Sequence, residues 1–171
     1  MTNVLVAYAS KHGSTEEIAE AIAASLRECG LAADCVAAGN VTTLESYDAV
    51  VLGSAVYMRR WRREARRFLH SHADALARRE MWIFSSGPLG DPAKDDADWS
   101  EPAATIAEAE RIGAREHVVF GGSLRPEPEG LGQRAMAKNM PPEYRDRRDW
   151  EEIRAWATGI ASQLLAASAR S

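Results

Sequence analysis

Apolar positions along this chain follow two alternating rhythms. Short, nearly continuous apolar runs are separated by stretches with helical spacing. The first run, 3–9, is apolar enough to be buried on both faces, as in a parallel sheet. A polar loop follows, and Ile18, Ala19, Ile22 and Leu26 then mark one face of a helix from Thr15 to about Cys29, with Gly30 as its stop. Residues 33–38 read as a weaker second strand. Residues 48–54 read as a third, ending in the small residues Gly53 and Ser54. A helix is expected over 61–76, with Ala65, Phe68, Leu69 and Leu76 inward and an arginine-rich outer face. Residues 80–86 form a fourth strand, 102–113 a helix stopping at Gly113, and 116–123 a fifth strand. An excursion over 124–148, rich in Pro, Gly and charge, holds a short helix at 131–140. The last helix, 150–165, buries Trp150, Ile153, Trp156, Ile160 and Leu164. Asp149 is its N-cap, and Glu152 completes a capping box.

Five alternations of strand and helix predict an α/β fold: a five-stranded parallel sheet with helices on both faces and right-handed crossovers. No internal repeat or low-complexity linker divides the chain, so 1–171 is read as one domain. In such sheets ligands sit beyond the C-terminal strand ends, at the switch point. The loops after strands one, three and four therefore hold the candidate chemistry.

Composition narrows the classes. With 171 residues, 46% of them hydrophobic, the chain can bury a substantial core. A formal net charge of −4 gives no case for nucleic acid. Cys29 and Cys35 are too few for a disulfide scaffold or a four-ligand zinc site, and are expected to stay reduced in a cytoplasmic protein. No signal peptide is read at the start, and no apolar run reaches spanning length, which leaves peripheral contact with the inner face of a membrane open.

The loop Ser10-Lys11-His12-Gly13-Ser14-Thr15 joins a buried strand directly to a helix. The helix start offers unpaired N–H groups and the positive end of its dipole. The hydroxyls add donors, and Gly13 lets the backbone close around an anion; together they make a phosphate cradle. After strand three, Gly53 and Ser54 permit close approach of backbone to a ligand. Ala55 and Val56 lead to Tyr57, which offers a flat aromatic face, and to Met58. After strand four, Ser85-Ser86-Gly87-Pro88-Leu89-Gly90-Asp91 is an irregular backbone able to hydrogen-bond a heterocycle. A phosphate site beside two loops that can hold a planar ring points to a phosphorylated planar cofactor, and FMN fits.

The chain resembles the flavodoxin-like proteins over almost its whole length, and most closely the menaquinone-dependent protoporphyrinogen oxidase branch. The 10–15 loop matches the family's S/T-x-x-G-x-T phosphate loop. Residues 47–57 match its third strand and flavin loop, and Gly121-Gly122-Ser123-Leu124-Arg125 with Asp149-Trp150 is similar to the branch's C-terminal third. The resemblance implies a strand order of 2-1-3-4-5 and a flavin used for two-electron chemistry or for shuttling electrons. It also implies oxidation of a porphyrinogen-like substrate, as in heme biosynthesis, with a quinone as acceptor. His12 stands where ordinary flavodoxins tend to carry Thr, which favours the oxidase-like branch. Pro126 stands where that branch tends to have an aromatic residue, and 87–101 is acidic where it has a more basic insert.

Several residues carry competing readings. Tyr57 stacks on the flavin or is a half-buried loop aromatic; Trp61 stacks or packs the helix. Arg59, Arg60, Arg62, Arg63, Arg66 and Arg67 cluster within nine residues. Arg66 and Arg67 read as a solvated face, whereas Arg59 and Arg60 could meet an anionic small-molecule substrate or an acidic redox partner protein. His12 reads as a loop residue whose backbone N–H faces phosphate, or as a proton donor near the flavin. His70 and His72 are expected at the surface, with no metal site. Asp91 hydrogen-bonds the ring or caps a turn. The 131–140 helix packs on the sheet edge or lies on a membrane. The alternatives to a flavin oxidase are a non-enzymatic electron carrier, a deazaflavin- or NAD(P)H-linked reductase, and a receiver-type signalling domain. The last would need an aspartate where Gly53 and Ser54 stand. No catalytic acid or base and no oligomeric state is read from the sequence.

Overall fold

The computed structural model describes residues 1–87, 101–123 and 130–171. In chain order, β1 (Asn3–Ala9) leads to α1 (Ser14–Glu28), β2 (Ala32–Ala37), β3 (Ala49–Tyr57), β4 (Arg60–Trp61), α2 (Arg63–Ser71) and α3 (Ala73–Leu76). Then come β5 (Glu80–Ser86), α4 (Ala103–Ile112), β6 (His117–Phe120), α5 (Gly130–Asn139) and α6 (Trp150–Ala169). The sheet runs β2-β1-β3-β5-β6 with every neighbouring pair parallel; β4 joins β3 antiparallel, off that path. Leaving out β4, this is the expected order of five strands.

The near-continuous apolar strands follow from burial on both faces. Alternate residues of β1 serve two separate cores. Val4 and Val6 pack with Ile18, Ile22 and Leu26 of α1 and Ile153, Ile160 and Leu164 of α6. Leu5 and Ala7 pack on the other side with Ala65, Phe68 and Leu69 of α2 and Ala109 of α4. On the first side, Phe84, Phe120 and Trp156 form an aromatic cluster with centroids 5.6 to 6.1 Å apart. Gly53 carries no side chain because the Phe84 ring fills that space. A Cβ there would lie 1.9 Å from Phe84 Cζ. The two cysteines are free, and burial pushes the Cys35 thiol up to about 12, so it packs and stays protonated.

The structure corrects the element expected over 61–76. Trp61 belongs to a two-residue strand, the helix starts at Arg63, and it breaks at His72 before the separate turn of α3. The apolar spacing was sound, since Ala65, Phe68, Leu69 and Leu76 are all buried. Helical period alone did not show that β3 runs on to Tyr57 and turns back on itself. Likewise, β6 is shorter than 116–123, because the chain leaves the sheet after Phe120. The final helix extends to Ala169; Asp149 Oδ1 caps it by accepting from the N–H groups of Glu151 (3.0 Å) and Glu152 (3.1 Å). Gly30 and Gly113 sit at helix ends in the left-handed region, as the stops predict. No helix among the described residues is long and apolar enough to cross a membrane.

Candidate functional site

Strand register brings the three loops together. Ala9 of β1 pairs with Ser54 of β3, and Ser54 with Ser85 of β5, so all three chains leave the sheet side by side at its C-terminal edge.

The first loop is a backbone cradle. Gly13 caps α1 at φ 91°, a left-handed conformation that suits glycine. Its own N–H donates to Ser10 Oγ at 2.9 Å, which closes the loop on itself. Glu17 N–H is the first of α1 to find a carbonyl, that of Gly13. The N–H groups of Ser14, Thr15 and Glu16 have no hydrogen-bond partner among the described residues. Three orphan donors converging at the positive end of a 15-residue helix suit a dianionic phosphate. The Thr15 side chain is buried, and Ser14 Oγ accepts from Ser123 N–H at 3.1 Å. Lys11 is exposed, with its ammonium 5.7 Å from the centre of the Tyr57 ring.

The second loop is a hairpin. Ser54, Ala55, Val56 and Tyr57 all lie within β3, and Met58 and Arg59 form a two-residue turn with φ of 49° and 61°. Tyr57 then pairs with Arg60, and Val56 with Trp61. Ser54 is fully buried. Its Oγ donates to Ala55 O and accepts from Arg62 N–H at 2.9 Å, so it fastens the hairpin to the start of α2. Trp61 is buried as well. Its Nε1 donates to Ser85 Oγ at 2.8 Å, and Ser85 Oγ lies 2.8 Å from His117 Nε2. Ser85 Oγ thus links the Trp61 indole to the His117 imidazole. Burial lowers the His117 pKa and keeps the ring neutral. Trp61 therefore packs and anchors. By contrast, Tyr57 is 68% exposed and Met58 81%.

The third loop begins with Ser85 and Ser86, both buried, and Gly87, whose N–H donates to Phe120 O at 3.3 Å. Pro88, Leu89, Gly90 and Asp91 lie outside the described residues, as do most of the acidic 87–101 stretch and Leu124 to Pro126. Sequence reasoning did not foresee what stands behind these loops. Gly121 and Gly122 let the end of β6 press against its neighbours. A Cβ on Gly121 would lie 2.0 Å from Arg147 O, and one on Gly122 would lie 3.1 Å from Gly87 Cα. Arg147 N–H donates to Gly122 O at 2.9 Å, and Ser123 bridges to Asp146. Arg148, its side chain only 10% exposed, bonds the Asp146 carboxylate at 2.8 Å, pairs with Glu17 of α1 and stacks on Trp150 with 4.8 Å to the ring centre. Its guanidinium holds the Asp146 carboxyl below the usual range. The returning chain is thus strapped to the helix that forms the phosphate cradle. The pair Gly121-Gly122 was the available signal, since adjacent glycines after a strand mark a close approach.

His70 is exposed and faces Glu108 at 3.6 Å, whereas His72 is half-buried and stacks on Phe68. Among the described residues no group of three His, Cys, Asp or Glu side chains could hold a metal. The flavodoxin-domain family model matches residues 5–147. This chain belongs to the flavodoxin family.

Flavodoxin domains are FMN-binding domains, the cofactor expected from the three loops, and the cradle fits its phosphate. Flavodoxin 2 from Bacillus cereus superposes with a TM-score of 0.65 at 23% identity, covering 95% of this chain and 99% of that one. An archaeal flavodoxin gives 0.63 at 14% identity, covering 95% and 98%. The chain also matches 37% of rubredoxin oxygen:oxidoreductase from Desulfovibrio gigas, over 97% of its own length, with a TM-score of 0.65 at 15% identity. No curated protein matches the chain in sequence. At these identities the structural likeness is one of fold.

Proposed function

We propose that this flavodoxin-family chain holds FMN across its three edge loops and carries electrons to and from a redox partner protein. In this reading Ser10, Lys11, His12, Gly13, Ser14 and Thr15 hold the phosphate, chiefly through backbone N–H groups. The backbone of Ser54, Ala55 and Val56, the ring of Tyr57, and the chain from Ser85 through Ser86, Gly87, Pro88, Leu89, Gly90 and Asp91 border the ring system. The buried hydroxyls of Ser54 and Ser85 bond to the hairpin, Arg62 and His117, and fix the strand ends. Bound FMN supplies the electron-transfer chemistry, and the protein supplies position and shielding.

The observation that carries this reading is the set of orphan N–H groups at Ser14, Thr15 and Glu16, one strand away from a solvent-exposed aromatic hairpin. The exposed Tyr57–Met58 tip favours exchange of electrons with a docked partner over an enclosed reaction pocket. The visible spectrum of the purified protein tests it. A yellow protein, or one that takes up added FMN, is expected. A colourless chain that ignores FMN overturns the reading.

A second reading rests on Arg59 and Arg60, two exposed cations at the ring edge that suit an anionic substrate such as a porphyrinogen. It would make the chain an oxidase with a quinone acceptor, working in the cytoplasm at the inner membrane face. Anaerobic mixing of protoporphyrinogen with the FMN-loaded protein should bleach the flavin within minutes if this reading holds. An unchanged spectrum counts for the carrier.

A further inference from the structure

We propose that the redox partner is a protein with an acidic docking face, received by the arginine-rich surface formed by the β3–β4 hairpin and α2. The proposal rests on the carrier reading above and names the polarity of its partner.

The chain's formal net charge is −4, yet residues 59–67 hold six arginines and a single glutamate. That glutamate, Glu64, is already paired with Arg62 at 3.1 Å. Arg59, Arg60 and Arg67 make no ion pair among the described residues. Cations left exposed without a counter-charge on an acidic protein make a local field of opposite sign to the whole.

The shape of this face matters as much as its sign. Its centre is the exposed apolar pair Tyr57 and Met58, and Lys11, Arg59 and Arg60 surround it. An apolar centre with a charged rim is the layout of a protein interface. Three residues past Arg60, Arg63 and Arg67 stand one helical turn apart on α2 and line an open groove of about 430 Å3. Val41, Phe68 and His72 also line that groove, as does Glu64, the acid already paired with Arg62. Carboxylates of a docked protein would meet Arg59 and Arg60 at the rim and Arg63 and Arg67 along the groove. Two apolar side chains at a turn tip are too few to hold a lipid surface, which leaves a protein as the fitting anionic body.

The probe is a plant-type two-iron ferredoxin, an acidic redox protein, with basic cytochrome c as its mirror control. Association with the FMN-loaded chain is measured by titration calorimetry, and electron exchange by stopped flow. Raising salt from about 20 to about 300 mM should weaken ferredoxin binding at least tenfold. The fourfold variant Arg59→Gln, Arg60→Gln, Arg63→Gln, Arg67→Gln should lose about tenfold in affinity and on-rate at low salt and nothing at high salt. The remote variant Arg154→Gln on α6 with Arg170→Gln just past its end should bind as the parent does. Tight binding of cytochrome c in preference to ferredoxin overturns the proposal, as does equal loss in the remote variant. Pelleting with phosphatidylserine vesicles, lost in the fourfold variant, also overturns it and assigns the face to a membrane. Calorimetry reads docking whether or not FMN is present. Failure of the FMN reading would show as a colourless protein, and failure of this proposal as a coloured one that ignores ferredoxin.

Discussion

The phosphate cradle and the hairpin stand a strand apart, and they are built in opposite ways. Around the cradle nearly every polar group is spoken for. Ser10 closes on Gly13, Ser14 receives Ser123, and Arg148 ties Glu17 to Asp146. What remains unpaired there is a row of backbone donors aimed at one spot. At the hairpin the reverse holds: buried Ser54 and Trp61 secure the base, and Tyr57, Met58, Arg59 and Arg60 at the tip face solvent. A ligand that must stay bound calls for the first arrangement. A partner that must come and go calls for the second, where few fixed contacts leave the encounter to charge and a small apolar patch.

If this contrast is right, substitutions behind the cradle should disturb stability and FMN together, and those at the hairpin tip neither. The largest effect is expected from Gly121→Ala. The new methyl would press on the Arg147 carbonyl, which is backbone and cannot swing away, so a loss of about 3 kcal/mol by urea unfolding is expected, with weaker FMN retention. An unchanged midpoint would show that the strap yields easily. Next comes Arg148→Met, which keeps the stem on Trp150 and strands the Asp146 and Glu17 carboxylates. Because both acids are at least half exposed, the loss should be about 1 to 2 kcal/mol.

That variant also sharpens a pH dependence. Arg148 depresses the Asp146 pKa below its ordinary 3.8, so the contribution is complete above that value. It fades as pH falls through the lower folded value, and this acid limb should flatten in Arg148→Met. His117 gives a separate, smaller signature. Burial depresses its pKa from 6.5, so the unfolded chain binds the proton first and stability declines as pH drops below about 6.5. His117→Asn should remove that slope in urea midpoints taken between about pH 7.5 and 5.5. The smallest effect belongs to the hairpin tip. Arg59→Ala with Arg60→Ala should leave stability within about 0.5 kcal/mol and FMN affinity unchanged. Loss of FMN in that variant would erase the contrast.

The sheet, both helical layers and the cradle were legible because each is written in local chemistry. Strand runs are apolar on both faces, Gly13 and the hydroxyls sit where a strand meets a helix, and Gly30 and Gly113 stop helices. The hairpin was not legible, because β4 is two residues long and its turn carries Met58 and Arg59 in place of the Asn-Gly pair that signals such turns. The Trp61–Ser85–His117 chain and the Arg148 strap were hidden for another reason. Their members are 24, 32 and 131 residues apart in sequence, and no period links them.

The turn itself has a consequence for anyone redesigning this protein. Both of its residues adopt a left-handed backbone that glycine or asparagine would take with less strain. A stability-driven redesign would write Asn-Gly there and gain a few tenths of a kcal/mol or more. It would also delete an exposed methionine and an exposed arginine. Under the proposed docking role, robustness and recognition would compete for the same two positions.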